Sequence, residues 1–233
     1  MKKIINISII LLLVTFFVAC ENDIDNYGAP NGGIRGAVLD KETNEPIPLP
    51  VQGGSGVIVN LFEQNTGASK SVDFRAKQDG TYENSQVFNA DYKVVVNGPF
   101  VERCEGFVTI KGQTEFNLSA TPYSRITMQA EVSADNKVTV TYNAIPSSNA
   151  YQISEVSVMW NFAPGVDVNT SNYAGKENLT ATSGSHTFDL ANDSEFQKNH
   201  YKIVSNNNKI YVRVAAKTEN GVNYSTIAEL KVN

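Results

Sequence analysis

Short segments in which apolar and polar residues alternate recur throughout this chain. A period of two is typical of β-strands that bury one face, and these segments are too short for most helices. One stretch, residues 193–204, instead predicts a short helix with Asp193 or Ser194 as its N-cap. The clearest alternating segments are residues 33–40, 57–61, 92–96 and 126–132. The chain is therefore predicted to be all-β.

The spacing of the predicted strands indicates two consecutive antiparallel β-sandwich domains, at residues 32–121 and 122–233. Asn220-Gly221 is a strong hairpin signal near the end of the second domain. Apolar and polar residues alternate over residues 156–162, and Trp160 in this segment is expected to lie in the core of the second domain. Residues 163–185 form a longer connection than such a fold needs, and long loops often carry binding residues.

The first twenty residues are a separate feature. Two lysines precede a mostly apolar run at residues 4–18, which is too short to span a bilayer but suits a signal peptide. Ala19 then precedes Cys20, and this ending resembles the bacterial lipobox, although Phe17 stands where Leu is usual. Residues 1–19 are thus predicted to be a signal peptide and Cys20 to be lipidated. The alternative is an ordinary secreted protein in which Cys20 is incidental.

Residues 20–31 have the composition of a tether, since they are polar and acidic and end in Gly and Pro. Glu21, Asp23 and Asp25 resemble the export signal of Bacteroidetes-type surface lipoproteins. This resemblance implies a lipid anchor in the outer membrane, at the cell surface. A plain solvated linker is the alternative.

The charge and the cysteines of the chain exclude several classes of protein. The formal net charge is −5 at pH 7, which argues against binding to nucleic acid or polybasic contact with anionic lipid. The two cysteines are Cys20 and Cys104. If Cys20 is acylated, Cys104 has no intrachain partner, so the fold must depend on its apolar core.

The first predicted domain contains several short motifs. They are Ile34-x-Gly36-x-Val38-x-Asp40, Thr43-Asn44-Glu45-Pro46-Ile47, Val59-x-Leu61, Asp79-Gly80-x-Tyr82 and Tyr92-x-Val94. Together they resemble the carboxypeptidase-regulatory-like, transthyretin-like domain. The resemblance implies a seven-stranded Greek-key sandwich, and such domains are usually non-catalytic. A Gly-rich insert at residues 52–56 departs from the pattern within a loop.

Further motifs extend the resemblance to most of the mature chain. Gly98-Pro99-Phe100 and Thr121-Pro122-Tyr123 resemble an uncharacterised family of two-domain lipoproteins. This resemblance implies a role beside the transporter and glycan-capturing lipoproteins of an outer-membrane polysaccharide uptake system. Trp160 and the strand around Val212 make the second domain similar to a fibronectin type III or immunoglobulin-like sandwich, although Ile210 replaces the usual tyrosine.

No motif in the sequence points to catalysis. The only histidines that could act as bases are His186 and His200, and His186, on a strand face with Phe188 and Leu190, is expected to be packed or at the rim of the core. Neither a zinc motif nor a catalytic triad has the required spacing. Asp167, Asn169 and Ser171 alternate as in a calcium loop, but the Gly and Glu that such a loop needs are missing. A solvated loop is therefore predicted there, with calcium binding as the alternative. No catalytic residue and no cofactor are predicted.

Three tyrosines are the candidate ligand-binding residues. Tyr151, Tyr173 and Tyr201 fall in predicted loops or beside the helix, and flat rings can stack on sugars. The alternative is that they fill the core. The predicted function is a non-catalytic surface lipoprotein that binds glycan or assists its capture by a transporter complex. The alternatives are a structural or adhesive module without a small ligand and, less favoured, a glycoside hydrolase with an unrecognised carboxylate pair.

Overall fold

The structure is a computed structural model that describes residues 28–54, 56–67 and 69–233. Asn31–Asn233 form one compact unit. The predicted signal peptide and Cys20 lie outside the described residues. Within the described range, no helix combines the length and apolar character needed to cross a membrane.

The first sandwich packs two sheets around an apolar core. One sheet has the order β4-β1-β7, with β8 also paired to β1, and the other has the order β3-β2-β5-β6. Side chains of β1, β2 and β5 fill the core, and Cys104 is buried among them. The strands are β1 (Gly32–Asp40), β2 (Ile58–Glu63), β3 (Val72–Arg75), β4 (Thr81–Val87), β5 (Asp91–Asn97), β6 (Cys104–Thr109), β7 (Gln113–Glu115) and β8 (Leu118–Ala120).

The predicted sandwich is confirmed, but two of its short strands depart from the antiparallel pattern. Both β7 and β8 pair parallel with β1, on either side of a break at Phe116. The Tyr82 hydroxyl donates a hydrogen bond to the Phe116 carbonyl at this break. A Cβ atom on Gly36 would overlap that carbonyl, so the close approach requires glycine at this position.

The second sandwich also has two sheets and carries the only α-helix of the described residues. Its sheets have the orders β13-β10-β9 and β12-β11-β14-β15, with β16 also paired to β14. The strands are β9 (Ser124–Val132), β10 (Lys137–Pro146), β11 (Ile153–Asn161), β12 (Gly175–Leu179), β13 (Ser183–Asp189), β14 (Lys209–Thr218), β15 (Gly221–Tyr224) and β16 (Ala228–Lys231), and the helix is α1 (Ser194–Ser205).

Several local predictions for this sandwich are confirmed. The side chain of Asp193 accepts hydrogen bonds from two main-chain N–H groups of the first turn of α1, as an N-cap does. Trp160 is fully buried in the core, where its ring lies 6.1 Å from that of Phe196. The predicted hairpin is present, with Glu219 and Asn220 in the turn and Gly221 as the first residue of β15, at a φ of 154°.

The predicted long loop at residues 163–185 is partly wrong, because β12 occupies part of it. This strand pairs antiparallel with β11 at the edge of the sheet. Its sequence, Gly-Lys-Glu-Asn-Leu, has one apolar side chain and therefore lacks the alternation that marks a strand. The remaining connection, residues 162–174, partly packs on the outer face of the sheet through Val166, Val168 and Tyr173.

Strand β14 is buried on both faces, which determines where the two sandwiches meet. Ile210, Val212 and Val214 point into the core of the second sandwich. The opposite face carries Arg213 and Ala215. Ala215 packs in a smaller apolar cluster with Met159, Val166 and Tyr224. Because successive side chains of a strand point to opposite faces, Arg213 faces the first sandwich.

Candidate functional site

A buried arginine lies where the two sandwiches meet. Arg213 has no solvent exposure, and its guanidinium lies 4.6 Å from the ring centre of Tyr224. It donates four hydrogen bonds to main-chain carbonyls, of Leu49 (2.9 Å) and Gln78 (3.1 Å) in the first sandwich and of Val166 (3.0 Å) and Ser225 (2.9 Å) in the second. These bonds tie both sandwiches to one side chain, and we call this arrangement the joint.

The guanidinium stays charged in this position. Burial lowers the pKa of Arg213 to about 10, and the charges of Tyr224 and Asp167 oppose that effect. At neutral pH the joint therefore contains a cation whose bonds go to carbonyl oxygens. Hydrogen bonds from a charged donor are stronger than neutral ones, which suits a contact without water.

Asp167 also belongs to the joint, contrary to the predicted solvated loop. The side chain is completely buried, and its Oδ2 accepts a hydrogen bond from the Val51 N–H at 3.0 Å. Its Oδ1 accepts from the main-chain N–H and side-chain amide of Asn169 and from the amide of Asn172, each at 2.9 Å. Both carboxylate oxygens are thus used to shape the loop and to hold the first sandwich.

The arrangement does not resemble a calcium site. The Ser171 hydroxyl bonds to the side chain of Asn172 rather than to Asp167. In the described residues, no group of three His, Cys, Asp or Glu side chains could hold a metal ion.

Other polar contacts surround the joint. The Gln78 amide donates to the Pro164 carbonyl at 2.8 Å, and the Asn223 amide donates to the Pro99 carbonyl at 3.1 Å. At the far side, Arg125 forms a bidentate ion pair with Asp40, with distances of 2.6 and 2.7 Å. The relative position of the two sandwiches is therefore fixed by directional bonds at several points.

Beside the joint, the two sandwiches enclose a cleft of about 930 Å³. This volume falls within the range of small-molecule sites, which often lie between domains. The cleft is lined by residues 45–46, 48, 51–52 and 77–79 of the first sandwich and by residues 164–165, 211, 226–227 and 229 of the second.

The lining combines an aromatic ring with amide groups. Tyr211 is half-buried, and its hydroxyl accepts a hydrogen bond from the Asn206 amide at 3.4 Å. The buried Oε1 atom of Gln78 has no hydrogen-bond partner among the described residues. A buried acceptor without a partner is costly, and this atom has almost no accessible surface towards the cleft. Proline side chains at positions 46, 48 and 164 supply apolar surface.

Two of the three acidic side chains in the cleft, Asp79 and Glu229, are stabilised by neighbouring groups. Burial by itself raises the pKa of Asp79, but hydrogen bonds from Thr81 and the charge of Lys77 outweigh it and lower the pKa overall. Glu229 forms an ion pair with Lys209 at 2.6 Å. The general acid of a glycosidase must donate a proton near neutral pH, and a carboxyl group with a lowered pKa, such as that of Asp79, is poorly suited to that role.

The predicted tyrosines are not brought together. The ring of Tyr151 packs on Tyr123 at 5.0 Å, and that of Tyr173 lies 5.1 Å from the Lys176 ammonium. Tyr201 is 69% exposed on α1. The described lining of the cleft includes none of the three. His186 packs on the ring of Phe188, and His200 lies against that of Phe196.

Sequence reasoning did not identify Tyr211 and Arg213 as site residues. The available signal was the run from Ile210 to Ala216, which is apolar at both alternating positions except for these residues. A strand with that composition is covered on both faces, so its interior polar groups must meet a second surface.

The sequence of the first sandwich has known relatives. Residues 32–121 match the N-terminal domain of DUF3823. DUF3823 is a family of proteins of unknown function. The matched region supplies one wall of the cleft, including Gln52 and Gln78. No match to the chain was found among curated proteins.

Solved structures of DUF3823 proteins share the fold of both sandwiches. One from Parabacteroides merdae has a TM-score of 0.71 at 22% identity, over 88% of this chain and 100% of that one. One from Bacteroides ovatus has a TM-score of 0.69 at 19% identity, over 86% and 99%. A protein from Bacteroides uniformis, described as a candidate carbohydrate-binding protein, has a TM-score of 0.65 at 18% identity, over 87% and 100%.

Proposed function

We propose that this protein binds glycan without cleaving it, in the cleft between its two sandwiches. The carrying observation is the composition of the cleft, in which the ring of Tyr211, proline surfaces and the amides of Gln52 and Gln78 converge. Sugars present both C–H faces, which pack on rings, and hydroxyls, which need hydrogen-bond partners. A solved structure of the same fold, described as a candidate carbohydrate-binding protein, supports the ligand class.

The proposal includes a location. Residues 1–19 act as a lipoprotein signal peptide, and acylated Cys20 anchors the protein in the outer membrane with both sandwiches at the cell surface. There the protein assists a transporter complex of polysaccharide uptake. The first sandwich is of the transthyretin-like kind and the second of the fibronectin type III kind. Mass spectrometry of the mature protein tests the anchor, and an unmodified N-terminal residue would contradict it.

Binding is tested by calorimetry against a panel of soluble polysaccharides. We expect at least one to bind, and Tyr211→Ala to weaken that binding about tenfold, which corresponds to about 1.4 kcal/mol. Tyr201→Ala is the matched control, since that ring is exposed on α1 outside the cleft and its loss should leave affinity unchanged. A thermal melt of each variant verifies that the fold persists.

Two results would overturn the proposal. If no polysaccharide binds, a structural or adhesive module without a small ligand becomes the better description. If Tyr201→Ala weakens binding and Tyr211→Ala does not, the ligand lies on the helix rather than in the cleft.

The carboxylates in the cleft give a specific reason to test for hydrolysis as well. Glu45, Asp79 and Glu229 share the cleft, as the acid and base of a glycosidase would. We expect no release of reducing ends from any bound polysaccharide. Release that is abolished by both Glu45→Gln and Glu229→Gln would instead make the protein a glycoside hydrolase.

A further inference from the structure

The charges around the cleft narrow the class of glycan that it can hold. Glu45, Asp79 and Glu229 line it, whereas Lys77 is the one cationic side chain in the described lining. The Lys77 ammonium lies 3.5 Å from Glu83, so part of its charge is already neutralised. Lys209 pairs with Glu229 in the same way. In the described residues, Glu45 and Asp79 have no such ion pair within 4 Å.

The arginine next to the cleft cannot bind an anionic ligand. Arg213 contacts the main chain of Gln78, but it is fully buried and its N–H groups donate hydrogen bonds to main-chain carbonyls. Carboxylate and sulfate groups are often recognised by an arginine with free paired donors. The described lining of the cleft offers no such group.

Neutral sugar hydroxyls suit this lining better. The carboxylates of Asp79 and Glu45 line the cleft as acceptors. Sugar hydroxyls can donate hydrogen bonds to both, whereas a uronate or sulfate brings further acceptors and like charge. We infer that the cleft selects neutral, hydroxyl-rich glycans and rejects polymers that carry uronic acid or sulfate groups. This inference rests on the proposed function and adds the ligand class.

The test compares a neutral polymer with its own acidic derivative. The neutral hexose polymer that binds best is oxidised at its C6 hydroxyls to carboxylates, which changes the charge but not the linkages. We expect the oxidised polymer to bind about fivefold more weakly at low ionic strength, as befits exposed like charges. The difference in affinity should shrink in 0.5 M salt, because the Debye length is then roughly a few ångströms and the exposed charges are screened. A simple loss of the C6 hydroxyl contact would not depend on salt.

A double variant identifies the residues responsible. Glu45→Gln with Asp79→Asn should reduce the ratio of neutral to oxidised affinity towards one. Glu131→Gln, on exposed β9 outside the cleft, removes a carboxylate of the same kind and should leave the ratio unchanged.

The two proposals fail differently. If the oxidised polymer binds as tightly as its neutral parent, or more tightly, the charge selection is wrong and the glycan-binding function stands. If the ratio is insensitive to both salt and the double variant, the selection is also wrong. If no polymer binds, both the proposed function and this inference are wrong.

Discussion

Arg213 and Arg125 both connect the two sandwiches, but they do so in opposite physical settings. Arg213 is fully buried and donates to four carbonyls, whereas Arg125 is 23% exposed and pairs with the carboxylate of Asp40. Burial lowers the pKa of Arg213 to about 10. The hydrogen bond to Asp40 is the main cause that raises the pKa of Arg125.

This difference in burial and partners indicates which of the two arginines contributes more to the stability of the fold. Removal of Arg213 takes the side-chain donor from three buried carbonyls, those of Leu49, Val166 and Ser225, while the Gln78 carbonyl keeps the Leu49 N–H. An unsatisfied buried group costs most of its hydration energy. Asp40 is buried, but Arg125, which covers it, is 23% exposed, so water can enter when the guanidinium is removed. Partly exposed pairs contribute less than buried ones. The buried residue should therefore matter more, although its charge is not paired directly with a carboxylate.

The largest effect is expected from Arg213→Met. We predict that the free energy of unfolding falls by about 3 to 5 kcal/mol, because the side-chain volume is roughly kept while the hydrogen bonds are lost. Urea denaturation followed by Trp160 fluorescence measures it. The comparison breaks if Arg125→Met, measured in parallel, is as destabilising.

Asp167→Asn should have the next largest effect. An amide cannot accept all the hydrogen bonds that the carboxylate accepts from Val51, Asn169 and Asn172, so one buried N–H group loses its partner. We predict a loss of about 2 kcal/mol in the free energy of unfolding. Asp135→Asn, which alters an exposed pair with Lys137, is the control and should barely change the denaturation midpoint. Equal denaturation midpoints for the two variants would mean that the hydrogen bonds of Asp167 do not stabilise the fold, as expected for the solvated loop that the sequence predicted.

Arg125→Met should cost about 1 to 2 kcal/mol of unfolding free energy. Because the pair is partly exposed, its contribution should fall as salt is added, whereas that of Arg213 should not. Denaturation at 0.05 and 1 M NaCl sharpens the contrast between the two arginines. A salt-dependent loss in the Arg213 variant would show that water reaches the joint.

The smallest effect is a pH dependence that belongs to the pair between Arg125 and Asp40. Burial by itself raises the pKa of Asp40, but its bonds to Arg125 and to the Glu42 N–H outweigh this and lower the pKa overall. Between that lowered pKa and the unfolded value of about 3.9, the unfolded chain binds more protons, so stability falls as pH falls. The stability difference between the wild type and Asp40→Asn should be full above about pH 5 and should shrink towards pH 2. A difference that stays constant would contradict the lowered pKa.

Local features of the fold were predictable because nearby residues determine them. The alternation around Trp160, the cap at Asp193 and the hairpin at Asn220-Gly221 each depend on a few neighbouring side chains, and each prediction was confirmed. Strand β12 was missed since an edge strand needs no apolar alternation. The parallel pairing of β7 and β8 with β1 was missed because it depends on the path of the chain rather than on side-chain type.

The candidate site was less predictable, because it is made where distant segments meet. The burial of Asp167 depends on Val51, and that of Arg213 on Leu49, 164 positions away. A single sequence shows that these residues are polar but not what covers them. The three tyrosines were chosen from predicted loops, and the cleft instead presents a tyrosine from a strand.

The partners of Arg213 are main-chain oxygens, which every amino acid possesses. The side chains at positions 78 and 166, for example, could change without removing the acceptors that the guanidinium uses. Substitutions in the walls could thus alter ligand preference while the attachment of one domain to the other persists. Under the proposed function, the scaffold and the recognition surface can therefore evolve at separate rates.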